Sequence, residues 1–254
     1  MVLNKLFKKN VFTTYKSIET ETSIILHHHL GLGDHIICSG MVNYLTKKFK
    51  EIYIPVFQRN YDNIKYLYQE NKKVKLFLVS PSEEDKDVFD FGIQNNLKIL
   101  KVGFKKIKNQ SFNIAFYNQL NLDYKISFDY FSLPQNREKE NLLFDHLMNF
   151  YNINKKEDYV LIHSTSSRAT HPLRRNKEKN EVFVEKDSDL FKNIFLYNKL
   201  ILNAKEIHCM NSSFIHIVER VPTNAALFYH EIREPSSLKL QKDWTVVEYE
   251  NPIT

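Results

Sequence analysis

Short apolar runs alternate with amphipathic segments along most of the chain, and this alternation predicts its secondary structure. The apolar run 22–28 predicts a buried strand, and the segment 34–50 after it places Ile37, Met41 and Leu45 on one helical face. The same alternation predicts further strands at 51–57, 74–80 and 97–102, with helices at 63–69 and from 81. A strand–helix–strand order is typical of a parallel sheet covered by helices.

A second series of the same kind follows a mostly helical stretch from 110 to 154. Its predicted strands lie at 158–164, 182–185, 205–210 and 225–230, and its predicted helices at 189–203 and 212–220. The polar, basic segment 165–180 between them predicts a loop. The sequence therefore predicts an α/β protein with two Rossmann-like lobes and parallel sheets, divided into residues 1–154 and 155–254.

The amino-acid composition limits the classes of protein to which the chain can belong. The chain has 254 residues, 36 Lys and Arg against 30 Asp and Glu, and 43% hydrophobic residues, which is ordinary globular composition. Two cysteines exclude a disulfide framework, and the opening MVLNKLFKKNVF is too often interrupted by Lys and Asn for a secretory signal. We expect a cytoplasmic protein without membrane spans. Its Lys-rich N-terminus, with Leu3, Leu6 and Phe7, also suggests peripheral membrane contact.

The first segment with candidate chemistry is LGLGDH, between a predicted strand and a predicted helix. Gly31 and Gly33 permit a close approach of the backbone, and Asp34 falls at the start of the helix. Asp34 is either a helix cap or a functional carboxylate. The segment is not a G-x-G-x-x-G dinucleotide motif because Ile36 takes the place of the third glycine.

Three consecutive histidines precede this loop and suggest metal binding. Side chains alternate between the two faces of a strand, so at most His27 and His29 converge. We therefore expect no metal.

The second segment is CMNSSFIH, again between a predicted strand and a predicted helix. Asn211, Ser212 and Ser213 offer side chains that suit a phosphate or a ribose, and His216 falls one helical turn later. Ordinary helix capping explains the same residues equally well.

A third segment follows the strand predicted at 158–164. Ser164, Ser166, Ser167 and Arg168 lie where a phosphate would bind, and a guanidinium holds phosphate oxygens in a bidentate manner. Arg174 and Arg175, further along, are interpreted as a solvated charged run.

Two of these segments resemble GT-B glycosyltransferases of the heptosyltransferase type, as in glycosyltransferase family 9. Gly33 and Asp34 with the helix after them match the opening of that family, and Ser212 and His216 match its donor-binding segment. Asn211 and Ser213 stand where the family has an acidic residue and a glycine.

The resemblance implies an inverting, metal-independent transfer from a nucleotide-sugar to a saccharide or glycolipid acceptor, with no cofactor. Asp34 would be the base, with His35 as its substitute, at a cleft between the two lobes. The donor would bind Ser164, Arg168, Asn211, Ser212, Ser213 and His216. A non-catalytic nucleotide- or glycan-binding protein is the alternative. No nucleic-acid-binding motif is present in the sequence, and no nucleic-acid partner is expected.

Overall fold

The computed structural model describes residues 10–104, 111–166, 169–233 and 238–253. The chain divides into two compact units, Met1–Pro134 and Gln135–Thr254. Each unit is built around its own five-stranded sheet.

The first sheet has the order β1-β5-β2-β3-β4, and all its strand pairs are parallel. Its strands are β1 (Val11–Phe12), β2 (Ser23–His27), β3 (Glu51–Phe57), β4 (Val74–Val79) and β5 (Lys98–Lys101). The central strand β2 forms ladders with two neighbours, and Ile24, Ile25 and Leu26 are fully buried in it. Burial on both faces explains why this strand reads as a continuous apolar run.

Three helices connect strands β2 to β5, namely α1 (Leu32–Leu45), α2 (Tyr61–Leu67) and α3 (Glu84–Gln94). Two more helices, α4 (Phe112–Asn118) and α5 (Ile126–Asp129), follow β5. Short 3₁₀ turns lie at Tyr15–Ile18 and Gln58–Asn60. Because the sheet is parallel, the corners that lead from β2 to α1 and from β4 to α3 lie at its carboxyl edge.

The second sheet has the order β10-β9-β8-β6-β7, again with parallel pairs only. Its strands are β6 (Val160–His163), β7 (Glu181–Phe183), β8 (Glu206–Met210), β9 (Ala226–Arg233) and β10 (Trp244–Ile253). Its helices are α6 (Arg137–Phe150), α7 (Asn198–Asn203), preceded by a 3₁₀ turn at Ile194–Tyr197, and α8 (Ser213–Val218). Two parallel sheets with helices confirm the predicted α/β class.

The division between the units falls one helix earlier than the predicted boundary at 154/155. Helix α6 belongs to the second unit, where Leu143 and Leu147 are buried. Asn198 Nδ2 lies 3.4 Å from Glu140 Oε2, and Lys199 Nζ donates to Asn141 at 2.8 Å. These contacts attach α6 to the start of α7.

Other elements differ from the predictions in extent. The strands β1 and β10 were not predicted, and the helix expected over 189–203 is a 3₁₀ turn followed by the six-residue α7. The N-terminal residues Leu3, Leu6 and Phe7 lie outside the described residues. Within the described ranges, no helix has the length and apolar character that crossing a bilayer requires.

Candidate functional site

Asp34 lies in the first turn of α1, where the chain leaves the carboxyl end of β2. Gly31 precedes the helix with φ −64° and ψ 147°, an extended conformation that any residue adopts. A Cβ atom at Gly31 would lie 2.6 Å from Asp34 Oδ2. A side chain at position 31 would therefore displace the carboxylate, which lies against the glycine backbone as the close-approach argument predicts. Gly33 lies within the first turn of the helix.

The carboxyl of Asp34 has an unusual acidity. Burial raises its pKa from 3.8 to about 7, although hydrogen bonds from the backbone N–H groups of Gly31 and of Asp34 itself act in the opposite direction. The side chain keeps part of its solvent contact. A carboxyl that titrates near neutral pH and can be reached from solvent has the properties of a general base.

His35 occupies a different environment from its neighbour Asp34. It is 0% exposed, and within the described part of the chain neither ring nitrogen has a hydrogen-bond partner. Its ring packs edge-on against His28, with centroids 4.6 Å apart, and burial lowers its pKa well below 6.5. Because its ring is closed to solvent, His35 is poorly placed to act as a substitute base.

The histidine triplet alternates as predicted. His27 and His29 both contact the ring of Phe104, with centroids 4.9 and 4.6 Å away, whereas His28 contacts His35. Of these three, His27 also contacts the carboxylates at the start of α3.

One cluster of three metal-ligating side chains occurs among the described residues, formed by His27, Glu84 and Asp85. His27 Nε2 lies 2.7 Å from Glu84 Oε1, and its Nδ1 lies 3.9 Å from Asp85 Oδ1. Lys101 Nζ donates to the same Asp85 oxygen at 2.6 Å. A lysine ammonium thus already neutralises one carboxylate, and we interpret the cluster as an ion-pair network.

The second corner joins β8 to α8 and holds Asn211, Ser212 and Ser213. Ser212 precedes the helix in an extended conformation, but its side chain makes no cap hydrogen bond. Its Oγ instead lies 2.9 Å from His163 Nδ1 and 3.3 Å from the Met210 carbonyl oxygen. The Ser212 hydroxyl therefore does not cap the helix, although capping was the alternative interpretation of this residue.

His163 is the residue of this corner that the sequence analysis missed. It ends β6, pairs in register with Cys209 of β8, and stacks on Phe214 with centroids 5.2 Å apart. Burial lowers its pKa to about 4, so its imidazole is neutral at pH 7. A neutral ring that holds Ser212 Oγ fixes the direction in which this hydroxyl points. Its position one residue before Ser164 was the available signal.

The remaining predicted donor residues are distributed unevenly. Ser164 directly follows β6 and is 6% exposed, so it lies at the same sheet edge as Asn211, Ser212 and Ser213. His216 is 4% exposed, and burial together with the charge of Arg220 lowers its pKa to about 3. It lies beneath the surface of the corner. Arg168 lies outside the described residues.

The arginines of the loop 165–180 are attached to the second sheet. Arg175 forms two hydrogen bonds with the carboxylate of Glu181, at 2.7 and 3.0 Å. The backbone N–H of Arg174 donates to Tyr249 Oη at 2.6 Å. The interpretation of both residues as a purely solvated run is therefore wrong for Arg175, whose side chain is only 14% exposed.

Together these features define an α/β protein of two Rossmann-like units, each with polar groups at strand-to-helix corners. Comparison with solved structures finds this fold in a glycosyl transferase of family 9 from Veillonella parvula DSM 2008. The TM-score is 0.56 at 9% identity, over 91% of this chain and 88% of that one. It also finds the ADP-heptose lps heptosyltransferase II of E. coli, with a TM-score of 0.50 at 9% identity, over 89% and 90%.

The similarity lies in the fold. No protein-family model and no curated protein matches the sequence. The likeness to both structures extends over nearly the full length of the chain, and it confirms the fold that the two sequence segments implied.

Proposed function

We propose that the chain is a glycosyltransferase that moves a sugar from a nucleotide-sugar to a saccharide or glycolipid acceptor. The reaction is a direct displacement with inversion and uses no metal. The proposal is supported by the fold shared with two glycosyltransferase structures and by the chemistry of the two corners. Fold alone does not select a reaction, so the argument rests on the residues at the corners.

Asp34 is the proposed general base. Its carboxylate accepts the proton of the acceptor hydroxyl as the new bond forms between that oxygen and the anomeric carbon of the donor. The bond from this carbon to the phosphate oxygen breaks at the same time, and the nucleotide leaves with the electron pair. Burial brings the pKa of Asp34 to about 7, which suits proton transfer near neutral pH.

The corner at the end of β8 is the proposed donor site. Ser212 and Ser213 provide hydroxyls, Asn211 an amide, and Ser164 a second hydroxyl from the adjacent strand end. His163 holds Ser212 Oγ at 2.9 Å, so this hydroxyl is oriented before a ligand binds. Preorganised hydrogen-bond donors stabilise the charge that develops on a leaving phosphate. For Arg168 and His216, a part in donor binding stays a prediction.

The observation that carries the proposal is the carboxyl of Asp34, with its pKa near 7, at a strand-to-helix corner of this fold. A capping carboxylate at a helix start normally titrates at or below its usual range, because the helix dipole and the backbone N–H groups favour the charged form. Asp34 departs from that behaviour in the direction that base catalysis needs.

The donor site is tested by calorimetric titration with UDP, GDP, ADP and CMP. We expect one nucleotide to bind, and Ser212→Ala to weaken its binding about three- to tenfold, as for the loss of one hydrogen bond. Ser17→Ala is the matched control, because this serine bonds Thr14 on the exposed surface of the first unit. Failure of all four nucleotides to bind, or equal affinity in Ser212→Ala, would contradict the assignment.

The proposed setting of the reaction is the cytoplasm, with peripheral contact to a membrane that carries the acceptor. The Lys-rich N-terminus supports this contact through attraction to anionic lipids. Non-catalytic nucleotide or glycan binding is the competing function, and it predicts binding without turnover.

A further inference from the structure

A series of connected polar side chains crosses three strands of the second sheet and ends at Tyr249, which accepts the backbone N–H of Arg174. Glu206 Oε2 lies 3.5 Å from His208 Nε2, and His208 Nδ1 lies 2.9 Å from His230 Nε2. His230 Nδ1 lies 2.9 Å from Tyr249 Oη. His208 is 6% exposed and His230 is 0% exposed. We call His208, His230 and Tyr249 the histidine–tyrosine chain.

The carboxylate at one end favours one direction for the bonds in this chain. Glu206 only accepts, which favours the His208 tautomer with its proton on Nε2; in that tautomer Nδ1 accepts from His230 Nε2–H. His230 Nδ1 is then an acceptor, and the hydroxyl of Tyr249 donates to it. Tyr249 Oη in turn accepts the backbone N–H of Arg174 at 2.6 Å. Every link is satisfied when both imidazoles are neutral.

Burial of the two imidazoles favours this neutral state. Burial lowers the pKa of His230 to about 4, and His208 and Arg175 act in the same direction. Burial also lowers the pKa of His208, with opposite contributions from Glu206 and Glu181. The arrangement of bonds therefore persists across the physiological pH range.

The Tyr249 end of the histidine–tyrosine chain contacts a loop that begins at the proposed donor site. The Arg174 guanidinium lies 4.9 Å from the centre of the Tyr249 ring, so both its backbone and its side chain contact this residue. Three residues earlier, His171 N donates to the Ser164 carbonyl oxygen at 2.9 Å, and Ala169 N donates to Ser166 Oγ at 3.1 Å. Attachment of Arg174 thus also restrains Ser164 and Ser166.

We propose that the histidine–tyrosine chain positions the loop arm 169–175, and through it Ser164 and Ser166, for contact with the phosphates of the donor. This inference rests on the proposed function. His208, His230 and Tyr249 are positioning residues that act through Arg174. Their predicted effect is on donor binding, and the proton transfer to Asp34 is unchanged.

The test removes the Tyr249 hydroxyl, which accepts the backbone N–H of Arg174. In Tyr249→Phe, we expect hydrogen exchange of the Arg174 amide to accelerate by about tenfold, and the KM for the donor to rise about three- to tenfold with kcat within twofold. His230→Gln keeps the donor to His208 but loses the acceptor for Tyr249, so it should behave in the same way. Tyr53→Phe, which loses a bond to Glu51 in the first unit, is the matched control.

The double variant Tyr249→Phe/His230→Gln separates positioning from general destabilisation. If both residues act through one link, the double variant is no worse than either single variant, whereas independent structural losses add. Unchanged exchange at Arg174 in Tyr249→Phe, or additive losses, would overturn the proposal.

The two readouts also separate this proposal from the proposed function. Faster exchange with an unchanged donor KM would overturn the link to the donor while leaving glycosyl transfer intact. If the wild-type protein binds no nucleotide, the proposed function fails and the donor half of this inference fails with it. Hydrogen exchange of the Arg174 amide still decides whether the histidine–tyrosine chain holds the loop arm 169–175.

Discussion

The substitution Asp34→Asn tests the unusual acidity of this carboxyl without reference to any substrate. Because the folded protein binds the proton more tightly than the unfolded chain, Asp34 lowers the free energy of unfolding as the pH rises from about 4 to about 7. About one pH unit above this pKa the carboxylate is almost fully charged and the loss is nearly complete. Asparagine keeps an oxygen that accepts the Gly31 N–H bond and carries no charge.

The size of the effect follows from the pKa. A rise from 3.8 to about 7, at roughly 1.4 kcal/mol per pH unit, corresponds to about 4 kcal/mol between the charged and neutral forms. Asp34 keeps part of its solvent contact, which screens the charge, so about 2 kcal/mol is the expected difference. Relative to wild type, Asp34→Asn should therefore gain about 2 kcal/mol in the free energy of unfolding between pH 5 and pH 8.

Urea unfolding at pH 5, 6.5 and 8 measures this gain, and carbon-13 NMR of labelled aspartate follows the titration of Asp34 directly. Asp62, exposed in the first turn of α2, provides the matched variant Asp62→Asn. A stability difference between Asp34→Asn and wild type that is constant with pH, or that shrinks as the pH rises, would refute the reasoning about the base.

Two other predictions concern stability. A Cβ atom at Gly40 would lie 2.4 Å from the Ile126 carbonyl oxygen, so Gly40→Ala should separate α1 from α5 and cost roughly 2 kcal/mol; an unchanged melting temperature would contradict this close contact. Burial lowers the pKa of His28 and His163 to about 4, so the unfolded chain takes up protons that the folded protein does not as the pH falls below 6.5. In Asp34→Asn, which lacks the opposing carboxyl, the urea concentration at the unfolding midpoint should decrease as the pH is lowered from 6.5 to 4.5. A midpoint that does not change with pH would count against burial of these rings.

The buried strands could be predicted because a strand covered on both faces is apolar throughout. Strand β3 was predicted with the bounds that the structure shows. The two missed strands lie at sheet edges. Strand β1 is only two residues long, too short to show a pattern. Strand β10 alternates Val247 and Tyr249 with the exposed Glu248 and Glu250, which is a strand pattern that was overlooked.

The domain boundary could not be predicted from the pattern alone. Helix α6 is clearly amphipathic, but its sequence does not state which sheet its apolar face covers. The contact of Glu140 with Asn198, fifty-eight positions along the chain, decides this. Such a pairing is tertiary information, and a local pattern contains none of it.

The two strand-to-helix corners were located because they depend on local turn chemistry, and the side-chain contacts that depend on strand pairing were missed. Asp34 and Ser212 lie where a helix begins after a strand, so the corners were visible in the sequence. His163 resembles a core residue at the end of an apolar strand. His208 and His230 meet because β8 and β9 pair in a particular register, which a single sequence does not show.

The measurement that tests the central claim most directly is turnover of UDP-, GDP-, ADP- and CMP-sugars with a panel of saccharide acceptors, followed by release of the nucleotide. We predict that the wild-type protein turns over one donor. Asp34→Asn should lower kcat about 10²- to 10⁴-fold while the KM for the donor stays within a few-fold. Nucleotide binding without turnover of any donor, or equal kcat in Asp34→Asn, would contradict the account.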